Sequence, residues 1–308
     1  MLGPTLLAAS QKPQVRRLVT TVPVTRQIVD RFVAGEALDE ALAATRALVD
    51  AGMTVTIDRL GEDTTSPEQA AETRDAYVQL LDVLAEAGLA DGAEVSLKLS
   101  AMGQALPVDG EQVALANARA VCEAAQRLGT TVTLDMEDHT TIDSTLSVLR
   151  RLRADFPWVG AVLQTCLHRT EADCRELAHE GSRVRLVKGA YAEPDSVAYP
   201  KKADVDLAYV RCLKILMNGA GYPMVATHDK QMIAIAEQLA AVAGRDRDSY
   251  EFQMLYGIST AEQRRLRDSG ARMRIYLPYG SDWYGYFMRR LAERPANVAF
   301  FLRSLVSR

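Results

Sequence analysis

Cysteine is scarce in this 308-residue chain, and the spacing of the few that occur limits what they can do. There are four cysteines and no C-x-x-C pair, and the closest two, Cys166 and Cys174, have seven residues between them. This is not the spacing of a disulfide framework or a zinc ribbon. We therefore interpret the thiols as reduced and mostly structural.

Other absences exclude whole classes of protein. The net charge is only −4 and the pI is near 5.7, so we predict no nucleic-acid partner. No apolar run reaches the roughly 18 residues of a membrane span, and the first basic residues follow the N-terminal apolar stretch, the reverse of a secretory signal. The four histidines lack the paired spacing of a metal site, so we predict no metal. We expect a cytoplasmic protein, with any membrane contact peripheral to the inner face.

What the chain does contain is a series of eight short apolar runs separated by helix-forming segments. The runs occupy 53–63, 93–102, 130–138, 159–166, 183–191, 223–229, 250–257 and 271–280. Helix-start signals stand in two of the segments between them, "SPEQ" at 66–69 and "STAE" at 259–262. Alternating strands and helices imply an α/β fold with a parallel sheet, and eight strands close most simply into a (β/α)8 TIM-type barrel. An open doubly wound sheet is the alternative, but no G-x-G-x-x-G or P-loop pattern supports it.

The residues before the first run do not share this alternation. "TRQIVDRFVAGEALDEALAATRALVDAG" has the periodicity of two helices, which predicts an N-terminal helical extension over 1–50 that covers the barrel. Residues 51–308 would then be one barrel domain.

Polar residues stand near the end of almost every predicted strand, where a barrel places its active site. They are Asp58, Glu62, Lys98, Asp135, Gln164, Arg185, Lys188, Thr227, His228, Gln253 and Tyr276. Each one alone could be a salt-bridge partner or a loop anchor, and His228 alone is more often structural. Lys98 is more informative, because an ammonium inside a barrel needs an anion and so suits a negatively charged ligand.

The helix predicted after the last strand carries two adjacent arginines. In "WYGYFMRRLAE", Tyr286, Arg289, Arg290 and Glu293 fall within an arc of about 100° and can face one site. Neighbouring guanidiniums repel each other unless an anion lies between them, and a carboxylate matches the arginine fork. A solvated surface helix paired through Glu293 is the alternative. The position directly after strand eight favours an anion site.

These stretches together are similar to the motifs of proline dehydrogenases. "RIYLPYG" with "WYGYFMRRLAE" resembles the C-terminal signature of that family, and "SLKLSA", "RLVKGAY" and "ATHD" resemble internal motifs in the same order. The resemblance runs from about residue 50 to the C-terminus. It implies a distorted (β/α)8 barrel that binds FAD. Two departures are Asp229, where many members carry Asn, and Ala192, where some carry an aromatic residue.

The resemblance also implies roles for particular residues. Arg289, Arg290 and Lys98 would bind the proline carboxylate, Glu62 would pair with an arginine when the site closes, and Tyr276 and Tyr286 would line the substrate pocket. Asp135 and Arg185 would form the catalytic pair, with Arg185 near the reactive flavin nitrogen. The flavin contacts would be Met136, Gln164, Lys188, Gly189, Ala190, Thr227, His228 and Glu293.

The implied reaction is oxidation of L-proline to 1-pyrroline-5-carboxylate by hydride transfer to flavin N5. Electrons would pass to a membrane quinone. Because no aldehyde-oxidising domain follows, we expect a monofunctional bacterial enzyme whose product goes to a separate pyrroline-5-carboxylate dehydrogenase. Two other functions fit the residues: a Schiff-base aldolase or lyase that uses Lys98 or Lys188, and a non-catalytic amino-acid-binding barrel.

Overall fold

The computed structural model describes residues 29–62 and 64–293, with only the backbone for 291–293. The chain forms a closed barrel of eight parallel strands in sequential order, so the predicted (β/α)8 fold is confirmed. The strands are β1 (Thr54–Arg59), β2 (Ala93–Leu97), β3 (Val132–Leu134), β4 (Gly160–Gln164), β5 (Arg183–Val187), β6 (Tyr222–Ala226), β7 (Glu251–Leu255) and β8 (Met273–Tyr279). Pairing of β1 with β8 closes the sheet, which excludes the open alternative.

Nine helices have bounds within the described residues. They are α1 (Leu38–Asp50), α2 (Pro67–Glu86), α3 (Gly110–Arg127), α4 (Ile142–Arg153), α5 (Thr170–Leu177), α6 (Lys202–Asn218), α7 (Lys230–Val242), α8 (Thr260–Asp268) and α9 (Trp283–Glu293). None of the described helices is long and apolar enough to cross a bilayer.

The two predicted helix starts have different outcomes. Ser66 caps α2 as expected, because its Oγ accepts a hydrogen bond from the amide of Gln69 at 3.3 Å, and Pro67 occupies the first turn. Ser259 does begin α8, but its backbone is left-handed with φ +55° and its side chain makes no cap hydrogen bond. The sequence pattern located both helix starts and was wrong about the cap of the second.

Helix α1 is the described part of the predicted N-terminal extension. It packs against β1 and β8 on the outside of the sheet, where the helix after β8 would complete the outer ring. Of the first predicted N-terminal helix, which begins at Thr25 in the sequence, residues 25–28 lie outside the described residues and 29–33 form a turn.

Helix α9 therefore occupies another position, at the mouth of the barrel. Phe287 is fully buried in a small hydrophobic cluster with Val29, Phe32 and Leu60. A neighbouring face of the helix, with Arg289 and Arg290, lines the cavity at the strand ends. This placement puts two cations above the centre of the sheet.

Charged side chains fill much of the barrel interior, while the aliphatic core lies between the strands and the helices. We call the connected set the interior charge network. Its members are Asp58, Glu94, Asp135, Glu251, Lys98, Arg183, Arg185 and Arg274. Four carboxylates meet four cations, so their formal charges cancel. Near the base, Glu94 lies 2.6 Å from Arg183, and Glu251 lies 2.7 Å from Arg274.

Candidate active site

The carboxyl ends of the strands surround a cavity of about 560 Å³. This is where a barrel of this type holds its active site, and the volume is that of a small-molecule site. All of the predicted site residues except Glu62 and Glu293 line it. They are Lys98, Asp135, Met136, Gln164, Arg185, Lys188, Gly189, Ala190, Thr227, His228, Tyr276, Tyr286, Arg289 and Arg290. Residues distant in the sequence therefore meet around one space.

Lys98 is buried in the cavity floor just after β2. Its Nζ donates to both carboxylate oxygens of Asp58, each at 2.7 Å, and lies 3.8 Å from Oδ2 of Asp135. Burial opposes the charge on Lys98, but these carboxylates outweigh it and raise the pKa of the ammonium. The anion that Lys98 requires is thus supplied by the chain. A charged, ion-paired amine is a poor nucleophile, which argues against a Schiff base at Lys98.

Asp135 follows β3 and holds three side chains in place. Its Oδ1 accepts hydrogen bonds from Nη1 of Arg185 at 2.6 Å and from the hydroxyl of Ser96 at 2.7 Å. Its Oδ2 accepts from the hydroxyl of Tyr276 at 2.6 Å. The guanidinium of Arg185 also lies over the Tyr276 ring, 5.2 Å from its centroid. Asp135 therefore orients a cation and a phenol on the cavity floor.

Helix α9 directs its two arginines at the cavity, as its 100° arc predicted. Nη2 of Arg289 donates to Oε1 of Glu62 at 2.7 Å, which ties α9 to the loop after β1. Burial opposes the charge on Arg289, yet Glu62 more than compensates and raises the pKa of the guanidinium. The guanidinium of Arg290 is buried and lies 5.1 Å from the ring centroid of Tyr286. The alternative of a solvated surface helix is wrong. The side chain of Glu293 lies outside the described residues.

The wall formed by β4 and the loop after β5 is built around Gly189. This glycine has φ +114°, and a Cβ there would lie 2.3 Å from Sγ of Cys166, so glycine is required. Gln164, buried at the end of β4, donates from Nε2 to the carbonyl oxygen of Glu137 at 2.7 Å. The amide of Cys166 donates to the carbonyl oxygen of Lys188 at 2.8 Å, which holds the start of the 188–190 backbone against β4 at the cavity edge.

Lys188 and His228 make contacts that the sequence did not reveal. Nζ of Lys188 donates to Oδ1 of Asp206 at 2.5 Å and to Oδ2 of Asp229 at 2.8 Å, so its charge is matched by carboxylates. Nε2 of His228 accepts from the amide of Leu255 at 3.0 Å, which leaves the proton of the neutral ring on Nδ1. Both side chains are anchored to the protein while they line the cavity.

Several lining residues were missed from the sequence or had no assigned role. Tyr191 directly follows "KGA", and burial raises the pKa of its hydroxyl. Val162 and Val187 also line the cavity, two residues before Gln164 and two after Arg185. Side chains two residues apart on a strand share a face, so this period could have identified both valines. Among the described residues, no group of three or more His, Cys, Asp or Glu side chains could hold a metal ion.

A closed parallel barrel with a polar, cation-rich cavity at its carboxyl end defines a (β/α)8-barrel enzyme with a small-molecule site. The chain belongs to the proline dehydrogenase family. The sequence profile described as "Proline dehydrogenase" matches residues 41–303.

Individual relatives agree with this membership. The chain is 41% identical to a proline dehydrogenase of Deinococcus radiodurans over 98% of this chain and 96% of that protein. It is 39% identical to proline dehydrogenase 1 of Bacillus subtilis over 92% of each. In structure it resembles proline utilization A of Bdellovibrio bacteriovorus inactivated by N-propargylglycine, with a TM-score of 0.80 and 28% identity. That match covers 87% of this chain and 33% of the other.

Proposed function

We propose that this proline dehydrogenase family member uses FAD to oxidise L-proline to 1-pyrroline-5-carboxylate. The observation that carries the proposal is the pair of guanidiniums of Arg289 and Arg290, both lining a cavity whose floor holds Arg185 and Tyr276. Two adjacent arginine forks match one carboxylate. The names of the relatives support proline as the molecule that carries it.

The residues around the cavity fit a flavin. The volume of about 560 Å³ exceeds what an amino acid alone needs. The apolar side chains of Val162, Val187 and Leu255 adjoin the polar groups of Gln164 and Arg185, as a ring system with an apolar face and a polar edge requires. The residues that would hold FAD are Met136, Gln164, Lys188, Gly189, Ala190, Thr227 and His228, with Glu293 predicted from its position on α9.

The bound flavin would supply a hydride acceptor at its N5 atom. Arg185 would place positive charge beside the ring, and Asp135 keeps that guanidinium oriented. Positive charge there favours the reduced flavin, on which negative charge accumulates.

The substrate would be held between helix α9 and the cavity floor. Arg289 and Arg290 would bind the carboxylate of proline, with Lys98 as a further donor, and Tyr276 and Tyr286 would line the space for its ring. The Glu62–Arg289 ion pair joins two segments across the mouth, so it would close the site over the substrate and exclude water.

The later steps are proposed on the family resemblance. Electrons would pass from the reduced flavin to a membrane quinone, with the protein in the cytoplasm and peripheral to the inner face of the membrane. The product would go to a separate pyrroline-5-carboxylate dehydrogenase.

The visible absorption spectrum tests the proposal. The purified protein should be yellow, and L-proline added without oxygen should bleach it, whereas D-proline at the same concentration should not. A colourless protein that takes up no added FAD would contradict the proposal. Proline binding without turnover would instead support an amino-acid-binding barrel, and covalent trapping of a carbonyl compound by borohydride would support a Schiff-base enzyme.

A further inference from the structure

Gln253 on β7 joins the active-site arginine to an ion pair at the base of the barrel. Its side chain is buried at the cavity floor, and its Oε1 accepts a hydrogen bond from Nε of Arg185 at 2.6 Å. Its Nε2 donates to Oε1 of Glu251 at 2.6 Å. Glu251 is fully buried and is bound by Arg274 through two contacts, of 2.7 and 3.2 Å. A continuous hydrogen-bonded path therefore runs from Arg274 to Arg185.

The chemistry of this path requires a neutral amide at position 253. One neighbour is a cation that needs an acceptor, and the other is a carboxylate that needs a donor. A carboxylate at 253 would face the negative charge of Glu251, and an ammonium would face Arg185. An apolar side chain would leave Nε of Arg185 without its acceptor and would remove one donor from Glu251, which is costly in a dry interior. Glutamine meets both requirements with one side chain.

The effect on Arg185 follows from how its guanidinium is held. Nη1 is bound by Asp135 at 2.6 Å and by Ser96 at 3.1 Å, both on one edge of the group. The contact from Gln253 is at Nε, a separate point on the guanidinium. Two separated points of attachment fix the direction of a planar group, whereas one edge alone allows it to tilt. The remaining nitrogen, Nη2, has no hydrogen bond among the described residues and lies 3.9 Å from Glu94.

We propose that Gln253 is a positioning residue for the reaction, whose amide fixes the orientation of the Arg185 guanidinium toward the cofactor and couples it to the Glu251–Arg274 ion pair. This inference rests on the proposed function, because it concerns the arginine expected beside the flavin. Gln253 acts through Arg185 and is not itself assigned a contact with the substrate.

The test compares Gln253→Met with Gln263→Met in the flavin-loaded protein. Gln263 is a matched control, since it is also a buried glutamine, but it donates to the carbonyl oxygens of Leu255 and Ile258, away from Arg185. Gln253→Met should lower kcat by about 10- to 100-fold with the KM for proline changed less than threefold, since a misplacement of about 1 Å in an active site can cost that much. It should also make the flavin midpoint potential more negative. Gln263→Met should change neither quantity.

A second variant, Gln253→Glu, tests the same role if Gln253→Met does not fold. Its carboxylate repels Glu251, but once protonated it accepts through its carbonyl and donates through its hydroxyl, as the amide does. The ratio of its kcat to that of the parent should therefore rise as the pH falls, while the ratio for Gln263→Met stays constant. A merely structural role for residue 253 would not produce that dependence.

Two outcomes separate this inference from the proposed function. If the protein binds flavin and oxidises proline, but the Gln253 variants match the control in kcat, potential and pH profile, the positioning role is wrong and the proposed function stands. If the protein neither binds flavin nor oxidises proline, both the proposed function and the positioning role of Gln253 are wrong.

In an Arg185→Lys background, replacement of Gln253 by Met should have less than a threefold further effect on kcat. A full 10- to 100-fold effect in that background would also refute action through Arg185.

Discussion

Replacement of Arg290 by methionine tests the proposed carboxylate site most directly. Arg290 is only 8% exposed, so water cannot take the place of the lost guanidinium. A hydrogen bond to a charged group contributes about 1.5–3 kcal/mol, and roughly 1.4 kcal/mol corresponds to a factor of ten. The KM for proline should therefore rise about 10- to 150-fold. Methionine retains the length and apolar surface of the arginine stem, so packing on Tyr286 is largely preserved.

The assay is steady-state oxidation of proline with an artificial electron acceptor, together with inhibition by pyrrolidine, which is the proline ring without its carboxylate. Pyrrolidine should bind the parent and Arg290→Met about equally. A control variant, Arg119→Met, removes a partly exposed arginine that pairs with Asp155 outside the cavity and should leave the KM unchanged. An unaltered KM in Arg290→Met, or an equal loss of pyrrolidine binding, would refute the assignment.

Three further predictions concern the stability of the site. Asp58→Ala leaves the Lys98 ammonium buried without its main partner, so the free energy of unfolding should fall by about 3–5 kcal/mol, measured by urea denaturation. Gly189→Ala forces a methyl group against Cys166 at a left-handed φ, so the fraction of purified protein that holds flavin should fall severalfold, measured as the 450 nm to 280 nm absorbance ratio. Burial raises the pKa of the Glu137 carboxyl above 4.5, so the folded protein holds a proton that the unfolded chain releases. The free energy of unfolding that this group contributes therefore declines as the pH rises above 4.5. Glu137→Gln should remove that decline, measured by urea denaturation from about pH 4.5 to about pH 8.

Each of these three has a control and an outcome that would contradict it. Asp155→Ala breaks an exposed ion pair and should lower the free energy of unfolding by less than about 1 kcal/mol. An equally small decrease in Asp58→Ala would show that the buried Asp58–Lys98 pair does not stabilise the fold more than an exposed pair does. Gly129 also has a positive φ, but a Cβ there would have no neighbour within 4 Å. If Gly129→Ala lost flavin as Gly189→Ala does, backbone strain and not the contact with Cys166 would explain the loss. Glu111→Gln replaces a more exposed carboxylate and should leave the pH dependence unchanged. Parallel pH curves for the parent and Glu137→Gln would refute the role of Glu137.

The sequence predicted the order of elements well because strand and helix periods are local properties. All eight apolar runs became strands, and the arc on α9 placed Tyr286, Arg289 and Arg290 on the cavity side. Most predicted site residues met at the strand ends because a closed parallel barrel brings all carboxyl ends together.

What the sequence could not predict depends on register and on contacts between distant segments. Lys98 clearly needed an anion, but only the folded sheet shows that Asp58 supplies it. Lys188 is matched by Asp206 and Asp229, which reach it from α6 and from the loop after β6. The missing cap at Ser259 has a different cause, since its left-handed backbone replaces the extended geometry that a hydroxyl cap requires.

The cancelling charges of the interior charge network also restrict which substitutions this chain can accept over time. Loss of one member, such as Glu94 beside Arg183, leaves an opposite charge without its partner in a largely buried position. Single replacements at these strand positions should therefore be selected against. Substitutions that persist among homologues should occur as compensated pairs, with a carboxylate and its guanidinium gained or lost together.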